Sequence, residues 1–235
     1  MNQQTVLITG ASRGLGYVLA QKYLEDGNIV FAAVREVTAP NLMILKEKYP
    51  DSLIPLRLEV TDTMSINEAA SIVGKYTDKI DILINNAAIH SDTSFEILEN
   101  ADIDDCLGVY DVNAIGPIRV VKAFINMLRN SSFGKVINIS SESGSISTCG
   151  REKEFDYCMS KAALNMGTKL LSNYLKIDNI TVLSVHPGWM RTDMGGQNAH
   201  LDPYETACKL VELFNRMTIE EHPIFIDNNG IEFSW

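Results

Sequence analysis

The sequence predicts an α/β protein: a doubly wound, mostly parallel sheet of seven strands with helices on both faces. Three observations predict it. Short apolar runs alternate with longer helical patterns along the whole chain of 235 residues. Most of the short runs are continuously apolar, as expected of parallel strands covered on both faces. A glycine-rich turn stands directly after the first run, at the strand end where such sheets bind ligands.

The strands are expected at Thr5–Thr9, Ile29–Val34, Leu53–Leu58, Asp81–Asn85, Lys135–Ile139, Ile180–Val185 and Pro223–Ile226. A helix follows the first strand, with Leu15, Leu19 and Tyr23 on one face and Gly27 as its stop. Ile66, Ala70 and Val73 mark another, and long helical patterns fill 102–129 and 156–176. Asp202-Pro203 reads as an N-cap with proline in the first turn of a last helix through Arg216. Such alternation means βαβ units. With no repeat, low-complexity tract or linker, 1–235 is read as one domain. Segments 143–155 and 189–202 read as irregular.

Composition excludes several classes. Hydrophobic residues make up 46%, enough for a sizeable core, and the formal net charge is −10. An acidic chain does not suit nonspecific binding to nucleic acid or an anionic membrane. No apolar run approaches the roughly 20 residues of a membrane helix. The N-terminus lacks the basic flank and long apolar stretch of a signal peptide. Cysteines 106, 149, 158 and 208 have no metal-ligand spacing with the four histidines, so free thiols, no metal and a cytoplasmic location are expected.

The turn after the first strand reads TGASRGLG, residues 9–16. Gly10 permits a sharp exit from the strand, and Gly14 and Gly16 let backbone approach a phosphate closely. A helix beginning near Leu15 directs its free N–H groups at this loop, an anion site. Dinucleotide binding is the reading this position favours over a ligand-free turn. The second strand ends in Val34-Arg35, and a guanidinium there suits the 2′-phosphate of NADP. Arg13 offers a second cation. Glu36 argues for NAD, since a one-residue shift would bring a carboxylate to the ribose.

The spacing G-x-x-x-G-x-G, rather than G-x-G-x-x-G, resembles the short-chain dehydrogenase/reductase family, whose Rossmann-type loop reads T-G-x-x-x-G-x-G. The resemblance continues through LRLEVTD (56–62), NNAA (85–88), VNAIGP (112–117), NISSESG (138–144), YCMSK (157–161) and HPGWMRTDM (186–194). It departs at Glu59, where the family has aspartate, and at Ala88, where it has glycine and where an unstrained backbone is therefore required. RTDMGG and the final IEFSW look most like the C-factor-like and sniffer-like carbonyl reductases of that family.

The resemblance implies a cofactor site of Gly10, Ser12, Arg13, Gly14, Leu15, Gly16, Arg35, Glu59, Val60, Asn86, Tyr157, Lys161, Met190 and Thr192. It implies a catalytic set of Asn113, Ser141, Tyr157 and Lys161. Ser141 is selected over Ser140 because it stands three residues before a glycine. Tyr157 and Lys161 lie one helical turn apart on one face. A free phenol has a pKa near ~10, and opposite charge within a few ångströms can lower it by roughly 1–3 units. Tyr157 would then protonate a carbonyl oxygen or take the proton in reverse. Ser141 would hydrogen-bond the same oxygen. Lys161 would also hold ribose hydroxyls, and Asn113 with a water would link Lys161 to solvent. Thr192 and the backbone near Met190 would hold the carboxamide. Cys158, Met159 and Ser160 read as spacers, and His186 as structural.

The expected activity is an oxidoreductase interconverting carbonyl and alcohol, with NADP(H) favoured and NAD(H) the alternative, on a small substrate. The resemblance implies a homodimer or homotetramer, since helices such as those at 102–129 and 156–176 are common subunit contacts in that family, although monomeric members exist. The competing reading is a cofactor-binding signalling or sensing protein with little turnover. The charged run GREKEFD (150–156) is read as a solvated loop, with Arg151 or Lys153 contacting an acidic substrate as the alternative. The short C-terminus predicts an open cleft.

Overall fold

The computed structural model describes residues 3–219 and 223–235. In chain order the elements are β1 (Thr5–Thr9), α1 (Gly14–Glu25), β2 (Ile29–Val34), α2 (Pro40–Lys48), β3 (Leu53–Arg57), α3 (Thr63–Val73), β4 (Ile82–Asn85), α4 (Asp105–Tyr110), α5 (Gly116–Arg129), β5 (Lys135–Ile139), α6 (Phe155–Leu175), β6 (Thr181–His186), α7 (Pro203–Arg216) and β7 (Phe225–Asp227). The strands form one sheet in the order β3-β2-β1-β4-β5-β6-β7, and every pairing is parallel.

Successive side chains of a strand point to opposite faces, so each strand feeds two cores. Val6 and Ile8 of β1 pack with Leu19 and Tyr23 of α1 and Leu210 and Phe214 of α7. Leu7 faces the other way, toward a core with Val120 and Phe124 of α5 and Leu175 of α6. Chain order runs outward from β1 on one side and from β4 on the other. The crevice beyond the carboxyl ends of these two strands is the switch point where such sheets bind ligands.

Three differences from the expected elements have local causes. Helix α2 was not expected, because only Leu42 and Leu45 on it are buried and no apolar stripe marks it. The pattern over 102–129 is not one regular helix. It begins at Asp105 and passes through a π-helical turn, Asp111–Ile115, before α5. Pro117 has no N–H to give the carbonyl four residues back, that of Asn113, so the α-helical ladder cannot run through. Strand β7 lies at 225–227 instead of 223–226, and its continuation folds back through a bridge from Ile226 to Glu232.

The cap of α7 is as expected, with Asp202 Oδ1 accepting from the amides of Tyr204 and Glu205. Segment 189–202 is irregular and held by the bridge between Met190 and Leu201. Ala88 takes no left-handed backbone angle, so its replacement of glycine is unstrained.

Candidate active site

The glycine turn leaves β1 directly under the end of β4. Asn86 Nδ2 donates to the carbonyls of Thr9 (2.9 Å) and Gly10 (3.3 Å), while the Thr9 hydroxyl accepts from the amides of Asn86 and Ala87. A Cβ at Gly16 would lie 2.5 Å from both Asn86 Nδ2 and the Gly10 carbonyl oxygen, so only glycine lets α1 begin this close to the strand ends. Leu15 is buried beneath the turn and Ser12 half-buried beside it. Thr192, in the loop after β6, stands opposite, 3.7 Å from where a Cβ on Gly14 would be. Its hydroxyl accepts from the Gly195 amide at 3.1 Å, and Met190 beside it is buried.

Beyond the ends of β2 and β3 lies a cavity of about 320 Å³, lined by Arg35, Arg57, Glu59, Asp62 and Ser65 among others. Arg57 was not singled out from the sequence. It pairs in register with Val34, which places it beside Arg35. Arg13 is not part of this lining. Its guanidinium reaches Asp193 at 3.3 Å, across the mouth between the glycine turn and the loop after β6. Glu36 is engaged by its own turn, accepting from the amide and hydroxyl of Thr38. Glu59 accepts from the Thr61 hydroxyl at 3.1 Å, and Val60 is buried. The cavity wall thus carries two guanidinium groups together with the carboxylates of Glu59, Asp62 and Glu68.

The second half of the sheet supplies the polar groups. The Ser140 hydroxyl points inward and donates to Asn165 Oδ1 at 2.7 Å. Ser141, which caps the turn Glu142–Gly144 after β5, donates to Glu142 Oε2 at 2.8 Å. The turn Glu142–Gly144 presses onto α6, where a Cβ on Gly144 would lie 2.7 Å from the Lys161 carbonyl carbon.

Tyr157 and Lys161 share one face of α6. Burial raises the Tyr157 phenol well above its ordinary range, with the Glu142 charge adding to the rise and a hydrogen bond with Ser141 opposing it. Lys161 is almost fully buried, and burial lowers its ammonium to about 7. Lys161 is not among the groups that shift the Tyr157 phenol in the nucleotide-free chain. The ammonium lies 5.4 Å from the centre of the Tyr157 ring and donates to the Ile139 carbonyl at 2.8 Å. Its side chain thus reaches the end of β5.

Asn113 sits in the π-helical turn, buried, with its amide committed. It donates to the Ile89 carbonyl (2.8 Å) and Ser160 Oγ (3.0 Å) and accepts from the Ile89 amide (2.9 Å). Ser160 is thus no spacer: it is fully buried and also donates to the Tyr157 carbonyl. A further polar network fixes α6 on the sheet and was not legible in the sequence. Asn85 donates to Asn138 and Asn138 to Thr168, while Asn165 accepts from Ser140 and Ser184 and donates to Gly144.

The charged run 150–156 is built into the site's rim. Arg151 pairs with both Glu142 and Glu154. Lys153 donates to the Phe95 carbonyl at 2.8 Å. Asp156 is buried and accepts from the Ser91 amide and the Ser94 hydroxyl. His186 Nδ1 accepts the Glu142 amide at 3.1 Å, a neutral imidazole consistent with the lowering of its pKa by burial. Among the described residues, no His, Cys, Asp and Glu side chains cluster as a metal site, and no helix is long and apolar enough to cross a membrane.

Comparison with known proteins gives a matching context. The model of the short chain dehydrogenase family matches residues 4–201. The C-signal protein of Myxococcus xanthus is 32% identical over 159 residues, 68% of this chain and 95% of that protein. An NADPH-bound carbonyl reductase from chicken fatty liver superposes with a TM-score of 0.91 at 31% identity, over all of both chains. The carbonyl reductase Sniffer of D. melanogaster superposes with a TM-score of 0.93 at 27% identity, again over all of both chains.

Proposed function

The chain belongs to the short-chain dehydrogenase family, and from that premise we propose that it is an NADPH-dependent carbonyl reductase. The observation that carries the proposal is the meeting of Ser141, Tyr157 and Lys161 at the carboxyl edge of the sheet, beside a glycine turn and a cavity walled by Arg35 and Arg57. The two arginines favour NADP(H) over NAD(H), because a 2′-phosphate can take charge-assisted bonds from both. Glu36, the argument for NAD, accepts from Thr38 through Oε1 in this structure. The chicken carbonyl reductase, bound to NADPH, lends the same support.

When bound, the reduced nicotinamide supplies a hydride to the carbonyl carbon. The residues of the chain manage the oxygen. Ser141 and Tyr157 hold it between two hydroxyls, and Tyr157 gives its proton as the C=O electron pair moves onto oxygen. Burial makes the phenol a weaker acid in the nucleotide-free chain, and positive charge bound beside it would lower its pKa toward the working range. Lys161, one turn along and enclosed, has its ammonium free to turn from the Ile139 carbonyl to ribose hydroxyls. Asn113 holds the π-helical turn open, and its own carbonyl, deprived of a donor by Pro117, is an acceptor for a water leading to Lys161.

The same reading takes 1–235 as one catalytic domain in the cytoplasm, acting on a small carbonyl or alcohol, without nucleic acid or membrane. It takes the chain as a homodimer or homotetramer. Met166, Leu170 and Tyr174 form an exposed apolar stripe along α6, with Leu107 exposed on α4, which packs against α6. The likeness to C-signal supports a second reading, a cofactor-binding signalling protein with little turnover. One experiment separates the two. NADPH and NADH oxidation is followed with a panel of aldehydes, ketones and quinones, for the natural chain and Tyr157→Phe. The reductase reading requires turnover that Tyr157→Phe removes while nucleotide binding stays. Tight NADPH binding with no turnover on any substrate overturns it in favour of the second.

A further inference from the structure

The Ser141 hydroxyl has one proton and two acceptors in reach, Glu142 Oε2 at 2.8 Å and Ser143 Oγ at 3.0 Å, and the charged carboxylate is the stronger of the two. Glu142 Oε2 accepts from Ser141 Oγ at 2.8 Å, and Glu142 Oε1 pairs with Arg151. Arg151 also pairs with Glu154, so two carboxylates share one guanidinium and one negative charge is left uncompensated at the rim. The other groups facing Glu142 do not cancel it. His186 on β6 turns a neutral nitrogen to it, with Asp227 of β7 behind the imidazole, and Tyr157 on α6 is a neutral phenol.

The rim is held in place rather than loosely solvated. Glu154 adopts a left-handed backbone angle, φ 61°, which a non-glycine residue keeps only when its surroundings impose it. Those surroundings are the bond from its amide to the Ser94 carbonyl at 2.8 Å and the pairing of its side chain with Arg151. Both place the carboxylate pair beside the two hydroxyls that would grip a substrate oxygen.

We propose that Glu142 is a specificity-determining residue, which makes this site select carbonyl substrates bearing a hydrogen-bond donor next to the carbonyl and reject those bearing a carboxylate there. A substrate that carries such a donor gives it to Glu142 in place of Ser141. The Ser141 proton is then released to the carbonyl oxygen, and no acceptor is left unpaired. A substrate with no donor must break the Ser141–Glu142 bond without replacement. A carboxylate at that position meets the uncompensated charge a few ångströms away. This inference rests on the carbonyl reductase reading and names its substrate class. It runs against Arg151 as an anchor for acidic substrates, since its guanidinium is already shared by two carboxylates.

The test uses three phenyl ketones: methyl phenyl ketone, hydroxymethyl phenyl ketone and phenylglyoxylate. Each kcat/KM with NADPH is divided by the ketone's rate of reduction by borohydride, which removes intrinsic reactivity. The natural protein is expected to prefer hydroxymethyl over methyl over carboxylate. Glu142→Gln, which keeps size and loses charge, is expected to shrink the rejection of phenylglyoxylate roughly tenfold, the scale of one charge a few ångströms away in a partly screened site. Glu142→Asp keeps the charge and withdraws it from Ser141, so it loses the hydroxymethyl preference while still rejecting the carboxylate. A natural protein that reduces phenylglyoxylate as well as or better than the methyl ketone overturns the inference, as do ratios unchanged in both variants. Because the methyl ketone is the neutral reference, its reduction with no effect of charge sinks this inference alone. Failure to reduce any carbonyl sinks the reductase reading beneath it.

Discussion

Gly144→Ala is a one-methyl change outside every expected catalytic position, yet the geometry makes it damaging. The new Cβ would lie 2.7 Å from the Lys161 carbonyl carbon, 2.8 Å from its oxygen and 2.9 Å from Asn165 Nδ2. Carbon atoms in ordinary contact sit about 3.5–4.0 Å apart, so turn and helix must separate by roughly 1 Å. Neither neighbour yields easily. The Lys161 backbone is in mid-helix, and the Asn165 amide is held by Ser140, Ser184 and Gly144 itself. Overpacking of this kind costs about 1–3 kcal/mol. For a chain of this size that lowers Tm by about 4–8 °C if the cost is about 2 kcal/mol. The same displacement moves Ser141 relative to Tyr157, and a shift of ~1 Å in reacting groups can cost ~100-fold in rate. Thermal melts, ketone turnover with NADPH, and NADPH binding are measured together. The expected pattern is a lower Tm and a large loss of kcat with nucleotide binding kept. A variant that melts within about 1 °C of the natural protein and turns over normally refutes the claim that this contact sets the site.

Four further outcomes are expected. Arg57→Ala should weaken NADPH binding about 10–100-fold, the scale of one charge-assisted bond to phosphate, and leave NADH unchanged; equal loss for both nucleotides contradicts the 2′-phosphate role. In the nucleotide-free protein, Lys161 titrates near 7 when folded and near its ordinary value when unfolded, so the unfolded chain holds the extra proton between these pH values. Stability should therefore rise from pH 7 toward 10, by up to about 1.4 kcal/mol per pH unit, and Lys161→Met should leave only the smaller rise from Lys135, which burial lowers to about 8; denaturant midpoints against pH check this. Leu170→Glu should shift the sedimenting species to a smaller one, and a natural protein that already sediments as a monomer defeats the oligomer reading. The Tyr157 phenolate, isolated as a difference spectrum against Tyr157→Phe, should appear well above the ordinary phenol range in the free protein and move down by roughly 1–3 units with NADP⁺; a tyrosine that titrates normally in the free protein disproves the burial argument.

The strands were legible because most are nearly continuous apolar runs, the pattern a parallel sheet buried on both faces needs. Helix α2 was not, since two buried leucines in nine residues leave no stripe to see. The glycine turn, Ser141, Tyr157 and Lys161 stand in short motifs whose spacing survives in sequence. What was missed depends on which elements become neighbours. Arg57 reads as a strand residue until β3 is known to lie beside β2. Ser160 reads as a spacer until burial shows it between Asn113 and Tyr157. Asn165 and Thr168 carry no sequence signal within the long helix, although both are buried and bonded to β5 or the segment after it. The run 150–156 reads as solvated because its charges neutralise one another only across a turn.

The helical spacing of Tyr157 and Lys161 puts them on one face, but spacing does not decide what each does. Depth decides it. Lys161 stands one turn further along α6, where the helix presses on the Glu142–Gly144 turn and the end of β5, and its ammonium is drawn to the Ile139 carbonyl. Tyr157 stands at the start of the helix, where its hydroxyl meets Ser141 and the Glu142 charge. Burial therefore pushes both groups toward their neutral forms, the phenol upward and the ammonium downward. A phenol raised in this way is a weaker acid than a free one, and positive charge bound beside Tyr157 from outside the chain would bring its pKa back down. In the nucleotide-free chain the Lys161 ammonium is bonded to the Ile139 carbonyl.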